Sequence, residues 1–400
     1  MNFMSFRISR FCLTPVSSLI LLTLAAFLTA CDGGGPPRLS AAAEIGKQIF
    51  HDDNLSLSGR QSCATCHVPE NAHAPTNPSA VQSGGKSRNI PGFRATPSLR
   101  YLHLTPRFSF DREGVPSGGL TWDGRAATLA MQALGPFFGP HEMANANPAE
   151  VVAKVSRAAY AQAFKKAFGA DIFSNTEAAM GRITFTLQQY QLEDRVFHPF
   201  DSKFDRFLEG KVALDASEER GLALFNNPEK GNCAACHSSA RRADGIHPLF
   251  TDFTFDNIGV PRNELIPATA NSSYFDLGLC GPDRTDLSQR TEFCGRFRVP
   301  TLRNVTTRHV FFHNGKFTDL KEVLKFYVQR DTHPELWYPK AADGSVLKFN
   351  DVPEKYRDNV NTKEAPYDRK LGDKPALSEQ EMDDVLHFLA TLEDGYKIKN

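Results

Sequence analysis

Cys63-Ala64-Thr65-Cys66-His67 and Cys233-Ala234-Ala235-Cys236-His237 are the two stretches on which the reading of this chain turns. Two thiols at this spacing can form thioethers with the two vinyl groups of one haem, and the adjoining imidazole is then placed to bind its iron. Two other chemistries use paired cysteines. A thioredoxin-like redox pair needs no histidine and sits in a βαβ setting, a pattern this chain lacks. Zinc requires further Cys or His ligands at short spacing to complete its set of four. Covalent attachment of two haem c groups is the reading that uses all six residues, with His67 and His237 as proximal ligands.

Working outward, each motif is preceded by a similar segment. Gly46-Lys47-Gln48-Ile49-Phe50 stands before the first and Gly221-Leu222-Ala223-Leu224-Phe225 before the second. A short amphipathic helix, a polar turn and the motif therefore occur twice. The repeat predicts a mainly α protein of two cytochrome c-like haem domains, residues 40–205 and 206–400, with a boundary in 200–215 where Pro199 and Gly210 interrupt the pattern. Convincing strand runs are scarce. Segments 72–94 and 259–286 are rich in Pro, Gly, Asn and Ser and read as long irregular loops. Ser378-Glu379-Gln380-Glu381 reads as a capping box opening a terminal helix whose apolar face is Met382, Val385, Leu386 and Leu389.

Residues 1–30 read as an export signal. Arg7 and Arg10 give a positive start, and the apolar stretch 17–28 is short for a membrane span. Leu28-Thr29-Ala30-Cys31 resembles a bacterial lipobox, which implies cleavage before Cys31 and lipid on its sulfur; plain secretion is the simpler alternative. Asp32 resembles a signal for retention at the inner membrane. Residues 31–39, with Gly33-Gly34-Gly35-Pro36-Pro37, form a tether. The expected location is the periplasm, lipid-anchored on the outer face of the inner membrane. Of the eight cysteines, Cys12 leaves with the signal, Cys31 takes lipid and four belong to the motifs. Cys280 and Cys294 remain, and disulfides persist in an oxidising compartment, so a bridge between them is expected, contributing ~3 kcal/mol.

Lys+Arg and Asp+Glu both number 46, so no net field favours nucleic acid. The 31 Phe residues suit a protein that must wall large flat cofactors, though they serve an ordinary core equally well.

The opposite face of each iron decides the chemistry, because a second protein ligand closes a haem and an open face admits peroxide. Met382 is the only Met after His237 and belongs to the terminal helix face, which makes it a poor ligand. Thr318 can cap a helix through Asp319–Tyr327, on which Leu320, Val323, Leu324 and Tyr327 share one face. On pattern alone Tyr327 is a packed aromatic.

From about residue 40 to 395 the chain resembles the bacterial di-haem cytochrome c peroxidase family, which includes MauG. The resemblance is carried by Leu57-Ser58-Gly59-Arg60-Gln61-Ser62, Leu120-Thr121-Trp122-Asp123-Gly124-Arg125-Ala126, Gln132-Ala133-Leu134-Gly135-Pro136 and Glu142-Met143. Val299-Pro300-Thr301-Leu302-Arg303-Asn304-Val305 and Phe312-His313-Asn314-Gly315 complete it. It implies that Glu142 and Gln132 serve a peroxidatic first haem, Glu142 as general acid/base and Gln132 as a hydrogen-bonding partner that orients peroxide or its water, with Trp122 as a stepping stone between haems. Read without the resemblance, Glu142 is a surface loop residue, Trp122 a core residue, and His141 the competing acid/base. The family places a sixth ligand of the second haem, usually Met, where this chain has Tyr327, as in the MauG arrangement. A phenolate is a hard anionic donor that lowers the potential where Met raises it.

Two departures bear on function. The loop that carries a distal His in many members has Ser83 here, while His73 lies nearer the motif and His103 beyond it; a five-coordinate or water-bound first haem is expected. The Asn of the family's inter-domain calcium site is replaced by Ala95, with Arg308 and Val310 at the positions of the carbonyl ligands, which puts calcium in doubt. Three functions are compatible with the sequence. The first, and the one chosen, is a periplasmic peroxidase reducing hydrogen peroxide with electrons from a small c-type cytochrome or similar donor. The second is a MauG-like enzyme whose stored Fe(IV) equivalents oxidise Tyr or Trp of a partner protein. A non-enzymatic di-haem electron carrier is the third, and gives Glu142 and Gln132 no use.

Overall fold

Ser40 sets the first helix. Its side chain accepts the Ala43 amide, and the apolar period Ile45, Ile49, Phe50 then buries one face of α1, Ala41–Phe50. The computed structural model describes residues 38–398. The signal segment, Cys31 and most of the tether lie outside them. After α1 come α2 (Cys63–Cys66), α3 (Leu129–Phe138), α4 (Pro148–Val155), α5 (Ala161–Phe168) and α6 (Thr176–Glu193). There follow α7 (Lys203–Leu208), α8 (Ala216–Asn226), α9 (Leu320–Gln329) and α10 (Glu379–Ala390). Strand structure among the described residues is confined to three antiparallel ladders of two residues a side, such as Ser83–Gly84 with Ile90–Pro91 inside the 72–94 loop. The protein is thus mainly helical, with irregular segments bearing much of the site.

The repeat seen around the motifs extends into packing. Helix α1 lies on α6, and α8 on α10. Each crossing is made at a glycine: a Cβ at Gly46 would run into the Thr186 carbonyl, and one at Gly221 into that of Asp384. Only a residue without a side chain lets these backbones approach so closely. The capping box of Ser378 and Glu381 opens α10 as expected, and Asp215 with Glu218 opens α8 the same way.

Two large apolar cores result. One draws on residues from Ile45 to Phe197, the other on residues from Phe204 to Leu392. Residues from Leu39 onward nevertheless form one compact unit. Buried polar links explain why. Arg100 and the Tyr101 hydroxyl both bind Asp394 at the far end of the chain (2.8 and 2.5 Å). Arg94 chelates Asp276 through two bonds of 2.6 and 2.7 Å. Removing one partner of such a pair strands a charge in low dielectric, so these links specify register more than they add stability.

Candidate haem centres

Each CxxCH motif is held by the same device. The Nδ1–H of His67 donates to the His73 carbonyl (3.3 Å), and that of His237 to the Phe250 carbonyl (2.8 Å). A carbonyl only accepts, so in both rings Nδ1 carries the proton and Nε2 keeps its lone pair, the form that binds iron. Both accepting residues have positive φ, +55° at His73 and +52° at Phe250, a left-handed backbone that side chains rarely adopt. The turn aims the carbonyl at the imidazole.

A second carbonyl faces each ring, from Pro97 and from Pro300. These prolines sit in Thr96-Pro97-Ser98-Leu99-Arg100 and Val299-Pro300-Thr301-Leu302-Arg303, which are structurally equivalent. Ser98 Oγ donates to the Ala72 carbonyl and Thr301 Oγ1 to that of Leu249, each at 2.6 Å; the Leu99 and Leu302 amides donate to His73 and Phe250, each at 3.3 Å. Burial pushes both His67 and His237 down to about 4, so the rings are neutral at pH 7. Burial also pushes the Cys63, Cys233 and Cys236 thiols up to about 12. None of the four motif cysteines is in a disulfide, whereas Cys280 and Cys294 are bonded to each other.

The second motif opens onto a large, mostly apolar cavity. Cys233, Cys236 and His237 line it, together with Leu320, Val323, Leu324 and Tyr327 of α9. The helix face read from the sequence is therefore the face that meets the cavity. Its cap differs: Asp319, not Thr318, accepts the Glu322 amide, and the helix starts one residue later at Leu320. Burial raises the Tyr327 phenol well above its ordinary value, so it would bind a metal only where the metal displaces its proton to solvent or a base. Tyr367, which the sequence reading did not single out, stacks on Tyr327 (6.0 Å, 27°) beneath the Arg330 guanidinium (4.1 Å). Met382 is core, 1% exposed, and does not reach the cavity.

Trp122 lines the same cavity and is fixed by the segments that lead to Pro97 and Pro300. Its indole N–H donates to the Ala95 carbonyl (2.8 Å), two residues before Pro97, and its carbonyl accepts from the Arg298 amide (2.9 Å), two residues before Pro300. The ring thus hangs between the loops that hold His67 and His237. Ala95 has no side-chain oxygen, and the guanidinium of Arg308 donates to the adjacent Thr96 carbonyl (3.3 Å). Val310 is buried.

Glu142 is placed at the first motif by glycines. It lies in the turn after α3, where a side chain on Gly139 would collide with its carboxylate and one on Gly84 with its backbone. The Gly85 amide donates to its carbonyl at 2.8 Å. Burial pushes the carboxyl up to about 7, with Arg125 pulling it down and Asp283 pushing it further up. Its charge in turn raises the Cys63 and Cys66 thiols, after burial. Gln132 lies half-buried on α3, which leads into this turn, but it makes no direct hydrogen bond to Glu142. His141 packs edge-on against Phe93 (4.9 Å), and burial lowers its pKa.

Arg125 is fixed by a buried network. Asp123, fully buried, binds Arg94 and Arg125 at 2.6 Å each, and Arg94 also chelates Asp276 (2.6 and 2.7 Å). Asp283 completes it, 3.3 Å from Arg125. The network joins the residue after Trp122 to the loop that the 280–294 disulfide closes. The remaining histidines near the first motif are otherwise engaged. His73 gives its carbonyl to His67 while its ring packs between Phe50 and Phe197, and His103 pairs with His198 (4.5 Å).

A free cysteine pair at thioether spacing, a neutral imidazole with free Nε2 and an apolar cavity suit haem c at the second motif, and the first motif repeats the same frame around its imidazole. Two further features agree with a ligand carrying carboxylates. Arg298 and Arg308 line the cavity, yet neither forms an ion pair with a described residue, and burial pushes both down to about 10.

Fold and sites together define a protein built to hold two haem groups in unlike surroundings. The chain belongs to the di-haem cytochrome c peroxidase and MauG family. Residues 40–213 match the family model described as di-haem cytochrome c peroxidase. The methylamine utilization protein MauG of Paracoccus denitrificans is 37% identical over 300 residues, covering 73% of this chain and 75% of that one. The cytochrome c551 peroxidase of Nitrosomonas europaea is 30% identical over 300 residues, covering 72% and 73%. Among solved structures, the diheme peroxidase BthA of Burkholderia thailandensis superposes with a TM-score of 0.82 at 38% identity, covering 89% of this chain and 87% of that one.

Proposed function

We propose that this is a periplasmic di-haem c-type enzyme that reduces hydrogen peroxide to water with electrons from a small c-type cytochrome or similar donor. Residues 40–205 carry the peroxidatic haem on Cys63, Cys66 and His67; residues 206–400 carry the electron-transfer haem on Cys233, Cys236, His237 and Tyr327. Lipid on Cys31 anchors the protein to the outer face of the inner membrane. The observation that carries the reading is the asymmetry of the two motifs: a buried carboxyl poised near neutrality at one, a phenol facing the other.

When bound, the haem groups supply the iron that takes up peroxide and the electrons that reduce it, two per peroxide, with two protons consumed and two waters formed. The chain supplies the proton path. Glu142 takes the proton from one peroxide oxygen and returns it to the other, which then leaves as water, and a pKa near 7 suits a group that must both accept and donate at neutral pH. Gln132 orients the peroxide or its water. Arg125 and Asp283 oppose each other in setting the Glu142 proton affinity. Trp122, held between the two proximal loops, passes an electron or hole between the centres.

Tyr327 in the cavity, with Met382 outside it, favours a second reading as well. A phenolate ligand makes the second haem a poor acceptor from a high-potential donor and a good store of oxidising equivalents. A MauG-like enzyme would spend them on a Tyr or Trp of a partner protein. Steady turnover with reduced cytochrome and peroxide supports the peroxidase. A long-lived doubly oxidised state after one peroxide, with slow cytochrome turnover, supports the MauG-like enzyme and overturns the first reading.

A further inference from the structure

Guanidinium groups shielded from solvent differ in their partners here. Arg94, Arg303 and Arg330 each meet a carboxylate within 3 Å. Arg298 and Arg308 meet none among the described residues, and their only side-chain bonds are weak: Arg298 to the Thr105 hydroxyl at 3.5 Å, Arg308 to the Thr96 carbonyl at 3.3 Å. A desolvated cation without a counter-charge is costly, so a site that keeps two of them is built to receive anions. Both line the cavity beside His237. Haem c brings two carboxylates on its propionates, which is the chemistry the pair calls for.

The two arginines are not equivalent. Thr96, which Arg308 holds, immediately precedes Pro97, whose carbonyl faces His67. No side-chain bond of Arg298 reaches that segment; its only one goes to Thr105, and it stands two residues before Pro300, in the segment that faces His237. Arg308 therefore lies against the cavity of the second centre and within electrostatic reach of the proximal ligand of the first. We propose that Arg308 is a counter-charge shared by both haems, pairing with a propionate of the second and coupling the reduction potentials of the two, while Arg298 serves the second haem alone. The inference rests on the di-haem reading above.

A positive charge beside an iron disfavours the more highly charged ferric state, so its removal lowers the midpoint potential. At partly buried separations of about 10 Å the effect on each ferric/ferrous equilibrium is roughly tenfold, which corresponds to about 59 mV for one electron. The test is spectroelectrochemical titration of the mature di-haem protein, following the two haems by their separate absorption bands, after haem content has been measured. Absence of haem from the unsubstituted protein sinks the di-haem reading itself. With two haems present, R308Q is expected to lower both midpoints, R308K to restore most of each, and R298Q to lower only the midpoint of the second haem. Unmoved midpoints in R308Q, movement of one alone, or equal movement of both in R298Q overturns the proposal. If R308Q fails to retain both haems, the proposal requires R308K to retain them, and their loss from both variants overturns it.

Discussion

Replacing Glu142 by Gln keeps the shape of the side chain and removes its proton chemistry. Burial lifts this carboxyl from its ordinary 4.5 to about 7, so at pH 7 about half the molecules hold the carboxylate that accepts a proton from peroxide. At pH 6 the fraction falls to roughly one tenth and at pH 5 to roughly one hundredth, whereas an unshifted carboxyl would stay mostly ionised at pH 6. The rate of reaction with peroxide should therefore rise about tenfold per pH unit up to an inflection near 7, then level off. In Glu142→Gln the rate at pH 8 should drop by about 10²–10⁴, and the inflection should vanish. Neighbouring charges give the sign a second check. Arg125→Gln removes the cation that pulls Glu142 down and should move the inflection above 7, while Asp283→Asn removes a repelling anion and should move it below. Stopped-flow mixing of the ferric protein with peroxide from pH 5 to 8.5, with haem content confirmed, measures all of this. Full activity in Glu142→Gln, or an inflection that survives the substitution, refutes the assignment and turns attention to His141.

Tyr327→Phe should change the spectrum of the low-spin haem and shorten the life of the species formed with peroxide; an unchanged spectrum removes Tyr327 as a ligand. Trp122→Phe should slow electron sharing between the haems at unaltered haem content, and unchanged kinetics would reduce the indole to packing. Gly221→Ala places a methyl group against the Asp384 carbonyl where α8 crosses α10, and should destabilise by about 1–3 kcal/mol in thermal unfolding. Gly181→Ala, at an open position of α6, should instead stabilise by about 0.5–1 kcal/mol; similar melting shifts for both would contradict the crossing geometry.

What was legible in the sequence was local or repetitive. The Ser378 capping box opens α10, and the apolar face through Tyr327 meets the cavity because a period of 3.6 residues needs no tertiary information. The cap at Asp319 shows the limit of such reading, since Thr318 and Asp319 both have a suitable oxygen and only the backbone decides which meets the Glu322 amide. The repeated proximal frame is harder to see. Pro97 and Pro300 lie at very different distances from their histidines, so equivalent hydrogen bonds are separated by loops of unequal length. Arg94 finds Asp276 across 182 residues, a pairing no window of sequence contains. Arg298 and Arg308 carry no local signal at all; it is the lack of a carboxylate around them, visible only in the fold, that marks them.

The account stands on two haems with unlike surroundings, one open to oxidant and one sealed by a phenol oxygen. Electron paramagnetic resonance of the purified protein before and after one equivalent of peroxide tests that most directly. It should show one high-spin and one low-spin ferric haem at rest, with both signals lost together on oxidation. Two low-spin signals indifferent to peroxide, or no haem signal, would contradict it.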